Sequence, residues 1–296
     1  MRNTAPHIAI QGIVGSFHHL AAERFFGPDI QLRMCRSFPT LFRKLASEEA
    51  DYGVVAIENS VAGTLLPNYA LLRNTDCTII GEIYLRIEQQ LLALPGQTID
   101  EIMEVHSHPM AILQCQAFFE AYPHIRLIEA DDTAASARRI AENQMLGAGA
   151  IASHVAADRF GLKILASNIE TNHRNFTRFL IIQPGKKREM ADQTANKASL
   201  FFHLSHQSGT LARVLTELAS HGMNLSKIQS LPIPGKEWEY FFHIDLEFEA
   251  QNQYLKALQA IDPLTDSLRI LGEYPRGIKN ETVAISSLPY FNSISK

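Results

Sequence analysis

The chain has 296 residues, of which 46% are hydrophobic and 20% charged, with a formal net charge of −4. That is enough apolar chain for two or three domains with their own cores. The acidic balance and short apolar runs exclude an electrostatic footprint for nucleic acid and a membrane-spanning helix. No apolar core precedes a small-residue cleavage site in MRNTAPHIAIQG, so no signal peptide is expected. Cys35, Cys77 and Cys115 are odd in number and unclustered, which reads as free thiols in a cytoplasmic protein.

HIAIQG (7–12) reads as a strand ending in glycine, and FHHLAAERFF (17–26) has helical spacing. QLRMCRS (31–37) is a second expected strand, followed by a helix from about Thr40 to Ala50 and a Val/Ile-rich strand, YGVVAIE (52–58). Residues 78–94 have no helical period and read as extended segments. EVHS (104–107) precedes a helix that begins near Pro109, a favoured first-turn residue. IRLIEA (125–130) is a strand, DDTAASARRIAEN (131–143) a helix with an Asp/Thr start, and AGAIAS (148–153) a strand leading into a short helix. KILAS (163–167) and NFTRFLII (175–182) complete the series. Strands alternating with helices predict an α/β fold with a mostly parallel, doubly covered sheet.

The pattern stops at the charged stretch 185–197, and the linker is placed at 186–197. Beyond it the order strand (198–205), helix (209–221), strand (224–233), strand (237–248), helix (251–261), strand (267–274) is ferredoxin-like βαββαβ. Residues 281–296 read as a peripheral tail.

Several stretches invite chemistry. GAGAIA (147–152) fits G-x-G-x-x-A, but a helix precedes it and its glycines enter a strand, the reverse of the dinucleotide arrangement. HSHP (106–109) lacks a second ligand pair for a structural zinc, so no metal site is expected. Three strand-to-helix junctions are more informative together: GIVGSF (12–17) with Ser16, IENSVAG (57–63) with Asn59 and Ser60, and DDT (131–133) with Thr133. Each alone is a cap. In an α/β sheet, however, strand carboxyl ends share one edge, where amides and hydroxyls make an anion site. Arg178 adds a fork suited to a carboxylate. The residues therefore point to a small anion, held without metal, nucleotide or other cofactor.

The ordered motifs GIVGSFHHLAA, VVAIENSVAG, HSHPMAILQC, DDTAASA, GAIAS and NFTRF resemble those of prephenate dehydratase, and the resemblance runs from about residue 7 to 275. In the C-terminal unit SGTLARVL, GMNLSKIQSLP and EWEYFFHID resemble a phenylalanine-binding ACT regulatory domain. The resemblance implies a two-lobed catalytic domain, like a type 2 periplasmic-binding-protein fold, over 1–185. Lobe 1 would take about 1–75 and 165–185, lobe 2 about 76–164, with an ACT domain at 198–280. It implies decarboxylating dehydration of prephenate to phenylpyruvate, with Thr177 and Arg178 catalytic and Ser16, Asn59, Ser60, Thr133 and Phe179 around the substrate. It also implies L-phenylalanine as effector near Gly209, Leu211, Asn224 and Ser230, and a homodimer or homotetramer.

The chain departs from the family pattern at Val14, Ser16, His18, Ala56, Ala62 and Met110, and Gln229 and Leu231 replace the charged pair of an Glu-Ser-Arg-Pro motif. In a regular strand Thr177 and Arg178 point to opposite faces, so both reach one ligand only where the strand's start is irregular. Arogenate dehydratase, a small-anion-binding protein without catalysis and an ACT-bearing regulatory protein are the competing readings.

Overall fold

The computed structural model describes residues 5–185, 194–233 and 235–278; most of the expected linker and the expected tail lie outside these. The first sheet is built from β1 (His7–Gln11), β2 (Gln31–Cys35), β3 (Tyr52–Asn59), β5 (Cys77–Arg86) and β11 (Phe176–Pro184), in the order β2-β1-β3-β11-β5; the short β4 (Gly63–Thr64) pairs with β3. β1 runs parallel to both β2 and β3. Ile8, Ala9 and Ile10 are fully buried in succession, as expected of a parallel strand covered on both faces. The cover includes α1 (Phe17–Phe26) and α2 (Phe38–Ala46), which has proline in its first turn and buries Leu41, Phe42 and Leu45. α3 (Leu66–Asn74) was not anticipated: its apolar positions give no clean 3.6-residue stripe, yet Tyr69 and Leu72 are buried.

The second sheet contains β6 (Gln90–Ala93), β7 (Glu104–Ser107), β8 (Arg126–Glu129), β9 (Ala148–Ala152) and β10 (Lys163–Ala166), ordered β10-β6-β9-β7-β8. It is mixed: β7 is parallel to β8 and β9, whereas β6 is antiparallel to β9 and β10. Its helices are α4 (Pro109–Gln114), α5 (Gln116–Phe119), α6 (Thr133–Glu142) and α7 (His154–Phe160). One core joins Leu92, Ala150 and Ala152 to Ala134, Ala137, Ile140 and Ala156 of α6 and α7. Small alanines at this contact let the helices lie close to the sheet. Because β5 lies in the first sheet, membership passes to the second after Arg86 and returns at Phe176, later than the boundaries near 75 and 165 drawn from sequence.

The third sheet has β12 (Lys197–His203), β13 (Asn224–Pro232), β14 (Tyr240–Glu247) and β15 (Ser267–Tyr274), ordered β13-β14-β12-β15 with antiparallel neighbours. With α8 (Thr210–Ser220) and α9 (Gln251–Ile261) this is the βαββαβ unit expected from sequence. Ala198, Leu200 and Phe202 alternate onto the helix-covered face with Val214, Leu218, Ile244 and Tyr254. Residues 5–65 and 83–179 make one compact unit; residues 66–82 and 180–278 make another.

Candidate active site

β1 ends at Gly12 and turns into α1 through Gly15, both at positive φ (92° and 88°), where a side chain would be strained. Ser16 caps α1: its Oγ accepts from the His19 amide at 3.3 Å. The Gly15 amide donates to His19 Nδ1 at 3.1 Å, which leaves the ring hydrogen on Nε2, facing Glu23 at 3.2 Å. Burial lowers the His19 pKa; Glu23 opposes that shift and Arg159 adds to it.

Two helix starts from the second sheet meet this loop. Asp132 caps α6, its Oδ1 accepting from the Ala135 amide at 2.7 Å. Ser153 caps α7, accepting from Ala156 N–H at 3.1 Å and donating to the Gly15 carbonyl at 2.6 Å. A β-carbon on Gly12 would stand 2.9 Å from Asp132 Oδ2, and one on Gly15 would stand 3.0 Å from Ala156 Cα. The two glycines thus let the loop lie directly against both helix starts. Burial raises the Asp132 pKa, opposed by the Ala135 and Ala134 amides and, more weakly, by His108 and Arg138. Thr133 is half-buried in the first turn of α6.

The start of β11 carries a polar chain whose directions are fixed by backbone donors. Asn59 Oδ1 accepts from the Val61 and Ala62 amides at 2.9 and 2.7 Å. An N–H group only donates, so the oxygen of Asn59 is identified and its Nδ2 must face the other way. Nδ2 donates to Asn175 Oδ1 at 2.7 Å and to Thr177 Oγ1 at 2.9 Å. Thr177, 8% exposed, therefore has an oxygen lone pair occupied and its hydroxyl hydrogen directed away from Asn59.

The other expected residues fall into distinct places. Ser60 is exposed; its hydroxyl donates to the Arg174 carbonyl and accepts from the Phe176 amide, both at 2.9 Å, so it clamps the end of β3 to the start of β11. Arg178 is 4% exposed, has interactions of its own, and by strand alternation lies on the face opposite Thr177. Phe179 is 1% exposed and sealed beneath His18, whose ring meets it edge-on at 5.0 Å and also meets Phe38 at 5.4 Å. His18 Nε2 is shut away from solvent without a hydrogen-bond partner, and burial lowers the His18 pKa to about 3. Thr177 and Phe179 share a face, so the Thr177 hydroxyl lies about 7 Å along the strand from the residue that supports His18 of α1.

GAGAIA lies within and just before β9, where Gly149 packs against Leu91, Leu92 and Val105, a packing role. His106 bridges Glu104 at 3.0 Å and Arg139 at 2.7 Å, and His108 caps α4. Among the described residues no cluster of three or more His, Cys, Asp or Glu is arranged to hold a metal. In the C-terminal unit Gly209 (φ 83°) starts α8 and Leu211 packs on the core. On β13, exposed Asn224 donates to Glu247 at 3.3 Å, and exposed Ser230 has its carbonyl bonded by Gln229 Nε2 at 2.9 Å.

Sequence reasoning noted Asn175 only as part of the polar entry to the NFTRFLII strand, without a role of its own, and did not single out Gln114 or Asp132 for the site. Asn175 and Gln114 stand inside NFTRF and HSHPMAILQC, and Asp132 inside DDTAASA, so the motifs contained them. What was invisible is the side-chain bond from Asn175 Nδ2 to Gln114 Oε1, at 3.0 Å across 61 positions.

The prephenate dehydratase family profile matches residues 8–187. A bifunctional chorismate mutase/prephenate dehydratase from Aquifex aeolicus is 35% identical over 276 residues, covering 93% of this chain and 75% of that protein. The crystal structure of prephenate dehydratase from Arthrobacter aurescens in complex with L-Phe superposes with a TM-score of 0.82 at 29% identity, over 94% of this chain and 92% of that one. GqqA, described as a novel type of quorum quenching acylase, superposes with a TM-score of 0.83 at 29% identity, over 91% of this chain and 98% of that one. The motifs, the two sheets with their facing helix starts and these matches lead to one assignment: the chain belongs to the prephenate dehydratase family.

Proposed function

We propose that the chain converts prephenate to phenylpyruvate, with release of carbon dioxide and water. The observation that carries this reading is the Thr177 hydroxyl, its acceptor side taken by Asn59 and its hydrogen left to donate. The same overall fold is described for an acylase, so the reading rests on this site and the family match rather than on fold alone.

Prephenate carries two carboxylates and a ring hydroxyl. As the ring carboxylate leaves, its bonding pair moves through the ring and the carbon–oxygen bond opposite breaks. The departing hydroxide takes up one proton, and the ring becomes aromatic. Charge develops on the leaving oxygen, so a fixed donor there stabilises the transition state more than the ground state. Thr177 supplies that donor. Ser16, Thr133 and the amides at the starts of α1, α6 and α7 receive the carboxylates. Ser60 shapes the site through its main-chain clamp. Arg178 contributes positive charge from the opposite face of β11, and Phe179 supports His18 from below.

Thr177→Ala is expected to leave the fold intact and to lower kcat by about 10²–10³, the usual cost of one such donor. The measurement is phenylpyruvate absorbance with purified wild type and variant; near-normal turnover by the variant overturns the role of Thr177. Supplying arogenate in a parallel assay separates the related dehydratase reading, and ligand binding without product would favour a small-anion-binding protein.

We also assign residues 198–280 to an ACT domain and 1–185 to the catalytic domain, with a homodimer or homotetramer in the cytoplasm. No helix among the described residues is long and apolar enough to cross a membrane. L-phenylalanine is the proposed effector, near Gly209, Leu211, Asn224 and Ser230. With Gln229 and Leu231 in place of a charged pair, any binding rests on backbone and shape. Calorimetry with L-phenylalanine should give measurable heat, and a flat titration would remove the effector from the proposal.

A further inference from the structure

We propose that Asn175 is a positioning residue for the reaction: it anchors Asn59, and through Asn59 the Thr177 hydroxyl, to Gln114 at the end of α4. This rests on the assignment of Thr177 as the donor. Asn175 is 1% exposed, and both ends of its amide are used. Its Oδ1 accepts from Asn59 Nδ2 at 2.7 Å, and its Nδ2 donates to Gln114 Oε1 at 3.0 Å. The polarity is dictated from one end: the Val61 and Ala62 amides fix Asn59, Asn59 fixes Asn175, and Asn175 fixes the oxygen of Gln114.

The relay lies where the chain passes between the two sheets. The Asn175 carbonyl accepts from Ile87 N–H at 2.8 Å, on the outgoing crossing, and the Gln114 carbonyl accepts from Thr171 N–H at 2.8 Å, on the return. The crossings are also tied by the Gln89 amide donating to buried Glu170 at 2.9 Å and by Ile169 N–H donating to the Gln89 carbonyl at 3.0 Å. Asn175 therefore joins the two sheets' layers through side chains at a point already held by the main chain. Asn59 Nδ2 has two hydrogens, one for Asn175 and one for Thr177; with the first partner lost, the Val61 and Ala62 amides still hold Oδ1 and the polarity of the group, but the Nδ2 end is no longer anchored and its bond to Thr177 can swing. The hydroxyl then no longer holds one direction. A misaimed donor beside a reacting bond lowers the rate although it leaves the groups that bind the carboxylates untouched.

The test is a kinetic cycle with Asn175→Ala, Thr177→Ala and the double variant, together with a crystal structure of Asn175→Ala. We expect Asn175→Ala to lower kcat about 10- to 100-fold with KM changed less than about threefold. The same change in the Thr177→Ala background should have an effect within about twofold, because the group it positions is gone. In the crystal, Asn59 Nδ2 should have left hydrogen-bonding distance of Thr177 Oγ1. Losses that multiply, a change confined to KM, or an Asn59–Thr177 bond unchanged in the variant crystal would each overturn the proposal. If Asn175→Ala does not fold, Gln114→Ala, from a half-buried site at the far end of the relay, takes its place with an expected loss of about 10-fold and the same non-additivity. Should wild type turn over no prephenate or arogenate, the reading of Thr177 fails, while the variant crystal still decides whether Asn175 holds Asn59.

Discussion

His18 shows how a single side chain can be read chemically only after its surroundings are known. In the sequence it is one of two adjacent histidines beside a glycine-rich turn. In the structure its ring is wedged between Phe38 and Phe179, and burial holds its pKa near 3. It stays neutral through the physiological range and does not act there as a cationic group. The linkage has a definite sign. The unfolded chain binds a proton on His18 near pH 6.5, but the folded chain does so only near pH 3. Between these values the unfolded state holds more protons, so stability falls as pH falls, by up to about 1.4 kcal/mol per pH unit from this group. His18→Phe should therefore flatten the dependence of unfolding free energy on pH between 6.5 and 3. Denaturant titrations of both proteins across that window would check it, and equal slopes would show that His18 does not set the dependence. The cysteines are also clear at this scale: all three are buried and free, and burial raises the Cys77 thiol to about 12.

At the scale of elements, the strand-to-helix turns matter more than the strands themselves. The sequence made the first helix legible to the residue, because FHHLAAERFF follows two glycines and a serine cap. It made the βαββαβ order legible because strands of alternating burial are separated by two amphipathic helices. It concealed α3, whose pattern lacks a clear stripe, and it concealed the approach of the α6 and α7 starts to the Gly12–Gly15 loop. No local pattern encodes that approach, since it depends on chain segments more than a hundred positions apart. Gly15 is its sharpest requirement. A β-carbon there would press on the Ala156 backbone at 3.0 Å and force a side chain into φ 88°. Gly15→Ala should cost roughly 1–3 kcal/mol and weaken substrate binding by moving the α1 start away from α7. The comparison needs the denaturant midpoint and KM of Gly15→Ala beside those of Gly161→Ala, where φ is 65° but nothing lies within 4 Å. Equal costs at the two positions would mean that backbone strain, not the contact with Ala156, sets the price.

For the molecule as a whole, the compact units are not contiguous stretches of chain. Residues 66–82 form one compact unit with residues 180–278. Within that unit Lys197 and Glu82 make a fully buried ion pair at 3.0 Å, and the Gly277 amide also donates to Glu82. Ser199 bridges Asp245 and Tyr274, and His243 reaches Asp245 at 3.0 Å. No periodicity argument finds such a seam, because lysine and glutamate are expected at a surface. Lys197→Met alone strands a buried carboxylate and should cost about 3–5 kcal/mol, whereas Lys197→Met with Glu82→Leu should recover most of that loss. Thermal or chemical unfolding of the three proteins checks it; a double variant no better than the single would place the loss in packing rather than charge. Gly272 adds a steric condition to the same seam, for a β-carbon there would overlap the Ile79 carbonyl. Anyone shuffling this gene with that of a relative inherits these constraints. A hybrid that imports only the stretch after the linker sets a foreign β12 and β15 against the resident segment 66–82. The two pieces should therefore be exchanged together, as one discontinuous cassette.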